Sequence, residues 1–183
     1  MKLRIDSFEL NDATPVADRE RCFALLRDAD PSRANVDDYL ARGELYVSRS
    51  IPGGDTNAPG PGGDDSKWDS VSDSDSDIVG LYVILETRPR TIEIMNVAVL
   101  PELQGQGIGK DLVRHAIERA RTKGAKSIEI GTGNSSVGQL ALYQKMGFRI
   151  LGIDFDYFVR FYEEPLYENG IQVRDMIRLA QDL

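Results

Sequence analysis

"PELQGQGIGKD", residues 101–111, sets Gly105, Gly107 and Gly109 between an apolar run and a run of helical periodicity, and the offsets among them decide what the turn can hold. A nucleotide-triphosphate P-loop needs G-x-x-x-x-G-K-[ST]. Counted back from Gly109-Lys110, its first glycine would fall on Gln104, and Asp111 stands where the magnesium-binding hydroxyl belongs. A dinucleotide turn needs G-x-G-x-x-G, and its third glycine would fall on Lys110. Both are excluded. What remains is Gln104-x-x-Gly107-x-Gly109 ahead of a helix. Missing side chains there bare successive backbone N–H groups at a helix N-terminus, whose dipole favours a pyrophosphate without a metal.

The neighbouring segments give the turn its setting. After it, Leu112, Val113, Ala116, Ile117 and Ala120 form a helical apolar stripe, with Arg121, Lys123 and Gly124 as its stop. "KSIEIGT" (Lys126 to Thr132) then reads as a strand, and strand, turn, helix, strand without a hairpin signal implies a parallel crossover from Thr91–Leu100. Upstream, the unbroken apolar run "IVGLYVIL" (Ile78 to Leu85) predicts a strand buried on both faces, joined to Thr91–Leu100 as a hairpin across "ETRPR". "LRIDSF" (Leu3 to Phe8) alternates as a first strand, Pro15–Ala29 and Asn35–Ala41 read as helices, and Glu44–Ile51 as a strand. Downstream come a helix from Ser135 to Met146, stopped by Gly147, and two last strands, Phe148–Ile153 and Ile171–Leu179. The expected fold class is mixed α/β (α+β), a mostly antiparallel sheet of about seven strands with one parallel pair and about four flanking helices.

A chain of 183 residues, 41% hydrophobic, fits one domain, residues 1–183. No run approaches the roughly 18 apolar residues of a membrane span, and "MKLRIDSFELND" meets acidic residues before a signal sequence could form, so a cytoplasmic protein with no membrane partner is expected. Single copies of cysteine (Cys22) and histidine (His115) exclude an internal disulfide and leave too few ligands for zinc; no metal is expected. The net charge of −8 is mostly local: seven aspartates against Lys67 between Pro52 and Asp77 leave the rest near −2. That Gly/Pro/Ser/Asp-rich segment, 52–77, cannot bury enough apolar area to order itself and is read as a disordered acidic loop. Its "DSDSD" (Asp73 to Asp77) fails as a calcium loop, since Ile78 and Ile84 occupy the positions of the required glycine and glutamate. No basic patch with interleaved aromatics appears, which argues against nucleic acid.

Three segments, in order, resemble the GNAT superfamily of N-acetyltransferases. "NVAVLPELQGQGIGKDLV" (Asn96 to Val113) is similar to the family's [QR]-x-x-G-x-[GA] acetyl-CoA turn, "LALYQKMGF" (Leu140 to Phe148) to its L-Y-x-K-x-G-F helix end, and "DMIRLAQDL" (Asp175 to Leu183) to its last strand. The resemblance implies the GNAT fold with a splayed parallel pair, and acetyl-CoA as cosubstrate. It places the pyrophosphate on Gln104, Gly105, Gln106, Gly107, Ile108, Gly109 and Lys110, and the pantetheine arm along the backbone of Val97 and Val99. Tyr143 takes the place of the general acid for the departing thiolate, and Glu93 that of a water-mediated general base. Family members often carry Asn at position 136 to contact the pantetheine; here Ser136 stands there, with Asn134 two residues before, and either can serve. His115 is expected to be structural, facing the sheet edge. The acceptor is expected to be a primary amine of a small molecule or peptide, walled by the first two helices and by "DFDYFVRFYEEPLYENG" (Asp154 to Gly170), whose carboxylates and aromatic rings suit a cation with an apolar body. A homodimer is compatible with this reading.

Two rivals remain beside it. A SAM-dependent methyltransferase also uses G-x-G-x-G after a strand, but Leu103 occupies its acidic position and the chain beyond the turn is too short for a doubly wound sheet. A catalytically idle CoA-binding module differs from an enzyme only in what Tyr143 does.

Overall fold

The computed structural model describes residues 2–51 and 77–183. The expected acidic loop at 52–77 lies outside the described residues, apart from Asp77, whose carbonyl accepts the Ser50 N–H at 3.0 Å. In chain order the elements are β1 (Lys2–Phe8), α1 (Val16–Ala29), α2 (Arg33–Arg42), β2 (Glu44–Ile51), β3 (Ile78–Arg88), β4 (Thr91–Val99), a 3-10 turn (Pro101–Leu103), α3 (Ile108–Thr122), β5 (Ser127–Gly133), α4 (Val137–Lys145), β6 (Arg149–Asp154), α5 (Tyr157–Phe161), β7 (Leu166–Glu168), β8 (Ile171–Val173) and β9 (Met176–Asp182).

Seven strands form one sheet in the order β1-β2-β3-β4-β5-β9-β6. β4 and β5 are parallel, and the other neighbours pair antiparallel. This is the mixed sheet expected from the chain, and it rules out the doubly wound parallel sheet that a methyltransferase of that kind needs. The first eight residues of β3 are all buried, because helices cover both faces of the sheet there. On one face α3 lays down Ile108, Leu112, Val113, Ala116, Ile117 and Ala120, all buried, against Tyr82, Ile92, Ile94 and Ile128. On the other, Cys22, Leu25 and Leu26 of α1 and Val36 and Tyr39 of α2 pack on Val47, Leu81, Val83 and Ala98. The result is two cores separated by one sheet.

Two expectations need correction. Ile171–Leu179 is not one strand: β8 pairs with β7 in a separate hairpin, and the long strand β9 starts only at Met176. The break comes from Asn134, whose Oδ1 accepts the backbone N–H groups of Arg174 (2.7 Å) and Asp175 (3.0 Å) and so takes both out of any ladder. A fifth short helix, α5, adds to the about four expected and lies within the segment read as the acceptor wall; its Tyr157, Phe158 and Phe161 form an aromatic cluster with Tyr162. His115 packs over β2 and β3 rather than at the sheet edge, its Nδ1 2.7 Å from the Tyr82 hydroxyl.

Candidate active site

The site begins as an irregularity in β4. Asn96 pairs with Val83 and Ile94 with Ile84, so Met95 is an extra residue, a β-bulge. Ile92 and Ile94 point into the α3 core, Met95, Asn96 and Ala98 lie toward α1 and α2, and Val97 and Val99 return to the α3 side. Pairing with β5 stops at the same place: the last parallel partners are Ile94 and Ile130, although β4 runs on to Val99 and β5 to Gly133. Beyond that point the two strands part, and a cavity of about 630 Å³ occupies the gap.

Val97, Val99 and Gln104 line this cavity. Gln104 is anchored through Nε2, which donates to the Val99 carbonyl at 3.2 Å. The glycine turn follows directly. Gly105 and Gly107 hold φ of 75° and 92°, left-handed values that exclude most side chains, and no heavy atom lies within 4 Å of where a Cβ would stand on either. The turn is therefore open on its outer side. Gly107 is the N-cap of α3 with no side chain capping it, leaving the first-turn N–H groups for a ligand. Gln106 and Lys110 are exposed around the turn, whereas the Ile108 side chain is in the core and gives only its backbone. Gly109 sits 3.8 Å, by its notional Cβ, from Val99, which closes the turn against β4. None of Gly105 to Lys110 lines the cavity; an open turn at an uncapped helix N-terminus, following directly on Gln104 in the cavity wall, fits a diphosphate carrying a narrow arm.

Tyr143 comes from α4 and lines the same cavity while only 7% exposed. Its ring packs against Phe148, and burial pushes the phenol up to about 12, so it keeps its proton throughout the neutral range. Glu93 lies on the other side of the bulge, its side chain 15% exposed, with Arg178 at 3.7 Å. Burial raises its carboxyl above the ordinary value; Arg178 opposes this, Glu129 reinforces it, and Arg88 opposes it.

The two candidates for the pantetheine contact separate. Ser136 lines the cavity, its hydroxyl donating to the Glu168 carboxylate. Asn134 does not line it; its amide donates to the Gln172 carbonyl at 3.1 Å and accepts from residues 174 and 175, holding β8 and β9 apart. Of the acceptor wall read from Asp154–Gly170, Tyr157, Tyr162, Tyr167 and Glu168 face the cavity. Asp154 pairs with Arg160 and Asp156 with Arg174 instead, and Phe155 and Phe161 are exposed away from it. Sequence reasoning passed over Asp28, Asp30, Tyr39, Asn96 and Arg178, all in the cavity wall. An Asp at the end of α1, where cations are the favoured residues, was the one available signal. Among the described residues no group of His, Cys, Asp and Glu could hold a metal ion, and no helix is long and apolar enough to cross a membrane.

Comparison with known proteins gives one answer. The Acetyltransferase (GNAT) family model matches residues 65–148. The chain is 47% identical over 182 residues to the N-acetyltransferase YvbK of Bacillus subtilis, spanning 100% of this chain and 97% of that protein. The crystal structure of a Bacillus subtilis acetyltransferase in complex with CoA superposes with a TM-score of 0.79 at 46% identity, covering 100% of this chain and 99% of that one. A GNAT family acetyltransferase from Elizabethkingia anophelis with acetyl-CoA bound gives a TM-score of 0.79 at 38% identity, over 99% and 98% of the two chains.

Proposed function

The chain belongs to the GNAT acetyltransferase family and is an acetyl-CoA-dependent N-acetyltransferase, and from that premise we propose that it moves the acetyl group directly to a primary amine of a small molecule or peptide, with Tyr143 as general acid and Glu93 as general base. The observation that carries this reading is the parting of β4 and β5 beyond Ile94 and Ile130, with Tyr143 and Glu93 in one cavity and the open Gly105–Gly107 turn following directly on Gln104 in its wall.

Acetyl-CoA supplies the thioester. Gln104 to Lys110 hold the pyrophosphate, the backbone of Val97 and Val99 aligns the arm, and Ser136 borders it from α4's start. The acceptor's ammonium first gives up one proton, which passes on to solvent; the neutral nitrogen then attacks the acetyl carbon, the C–N bond forms and the C–S bond breaks, and the nitrogen loses its second proton as the sulfur gains one. Glu93 takes the first proton, directly or through one water, a task suited to a carboxyl whose affinity for protons is raised by burial. Tyr143 donates its proton to the sulfur and recovers the second proton that the nitrogen has lost; between turnovers its phenol, pushed up to about 12, stays protonated at working pH. Carboxylates and aromatic rings in the wall, Asp30, Tyr157 and Tyr162 among them, support an acceptor that is cationic at neutral pH and carries an apolar body. A cytoplasmic location belongs to the same reading, as does a homodimer, supported by exposed Ile150, Leu151 and Phe155 on and after edge strand β6.

The test is release of free thiol from acetyl-CoA across polyamines, aminoglycosides, amino acids and peptides. Release that requires the amine is expected; silence across all four classes would remove amine acetylation.

A further inference from the structure

Asp30 is the residue that ends α1, and it lines the same cavity as Glu93. Its Oδ1 accepts two hydrogen bonds, from the Ser32 N–H at 3.0 Å and from the Tyr162 hydroxyl at 2.9 Å, and Oδ2 has no described partner. Burial lifts its carboxyl above the ordinary value, against the hydrogen bonds from Ser32 and Tyr162. Among the described residues of the cavity wall the one cation, Arg178, is already divided between Glu129 at 3.2 Å and Glu93 at 3.7 Å. A half-buried carboxylate without a counterion is a costly group unless something brings the charge to it.

The cavity wall says what that is. Tyr157, packed on Phe158 and Phe161, lines the cavity together with Asp30 and Glu93. The ring of Tyr162, which also lines it, lies 6.5 Å from that of Tyr157, and aromatic faces attract cations. Asn96, 5% exposed and also in the cavity wall, donates its amide nitrogen to the Leu26 carbonyl at 3.0 Å and to the Tyr39 hydroxyl at 2.9 Å. That anchoring leaves its Oδ1 a buried acceptor with no donor. Carboxylate and ring faces on one cavity wall together ask for a group that brings positive charge and N–H donors.

We infer that the acceptor carries a second cationic group: an aliphatic diamine-type substrate, acetylated on the amine beside Glu93 while its other ammonium is held by Asp30 against Tyr157 and Tyr162. The inference rests on acetyl transfer to an amine in this cavity and narrows it. Zwitterionic and acidic acceptors are disfavoured, since a substrate carboxylate would meet Asp28, Asp30 and Glu93 with like charge.

Thiol release measured with straight-chain α,ω-diamines and with monoamines of matching length decides it. The diamines are expected to exceed their monoamine partners in kcat/KM by roughly tenfold or more, the scale of a charge-assisted hydrogen bond. Asp30→Asn keeps an Oδ1 for Ser32 and Tyr162 and removes the charge, so that the diamine-to-monoamine ratio collapses toward one. Acetyl-CoA-induced thermal stabilisation reports that the variant is folded, and the wild-type ratio stands without the variant. Monoamines turned over as well as diamines, or a ratio that Asp30→Asn leaves in place, overturn the second-cation inference alone. Absence of release from both series, with release from aminoglycosides, amino acids or peptides, overturns this inference alone; silence across those classes as well overturns the amine-acceptor reading and this inference with it.

Discussion

Glu93 and Glu129 are register partners across the parallel β4–β5 pair and share one guanidinium, that of Arg178, 3.7 Å from the first and 3.2 Å from the second. Arg88 adds a further contact to Glu129 alone. Burial leaves the Glu93 carboxyl protonating more readily than an exposed glutamate; Arg178 offsets this, Glu129 reinforces it and Arg88 offsets it further, while Glu129 holds the nearer contacts to both arginines.

Glu129→Gln removes a negative neighbour and frees Arg178 for Glu93, and both effects favour the Glu93 carboxylate. A base works only when ionised, so the acid-side limb of the kcat–pH profile, the limb that vanishes in Glu93→Gln, is expected to move to lower pH. Arg88→Gln should move it the other way, because it removes a positive charge and returns Arg178 to Glu129. Coincident profiles for both variants and wild type would show that the pair does not tune Glu93.

Tyr143→Phe removes one hydroxyl from a buried ring that still packs on Phe148. A kcat lower by roughly 10²- to 10⁴-fold is expected, with the KM for acetyl-CoA little changed, since the lost interaction forms as the thiolate departs. With the phenol pushed up to about 12, no tyrosine ionisation should appear in the wild-type profile up to pH about 10. Steady-state kinetics from pH about 5 to about 10 checks both statements.

At Gly107 the φ of 92° is a backbone constraint, and the space around a Cβ is open. Gly107→Glu forces a charged residue into a left-handed conformation at roughly 1–2 kcal/mol and sets its carboxylate where a pyrophosphate belongs. Acetyl-CoA should then no longer raise the Tm. Gly107→Asn, which tolerates positive φ without charge, should retain much of the shift; loss in both variants alike would mean that strain rather than charge governs the turn.

How much of this was legible in the chain follows from how local each signal is. β3 and α3 could be read because one continuous apolar run and one 3.6-residue stripe face helices and sheet as their periods demand. The glycine turn and Tyr143 sit in short contiguous motifs. α5 and the β7–β8 hairpin could not be read, because aromatic and charged residues between Asp154 and Gly170 follow neither period. The end of β8 is imposed by Asn134 from 40 residues away, inside a stretch that alternates like one strand. Asp30 carries only the mark of an acid at a helix C-terminus and Arg178 none: the α1 terminus and β9 meet at the cavity only in the folded chain.

Asn96 joins fold and site in one side chain, and its removal should be felt in both. It ties the bulged strand β4 to the last turn of α1 through the Leu26 carbonyl, which also accepts the Asp30 N–H at 2.9 Å, and to α2 through Tyr39. Asn96→Ala leaves a carbonyl short of one donor and a buried phenol short of its partner, at about 1–3 kcal/mol. Calorimetry should show a Tm lower by several degrees. Because the same turn carries Asp30, the KM for the amine should rise more than that for acetyl-CoA, whose glycine turn is anchored through Gln104 to Val99 and not through Asn96. Equal rises in the two KM values would place the damage in the sheet as a whole, and an unchanged Tm would show that water replaces the amide at both partners.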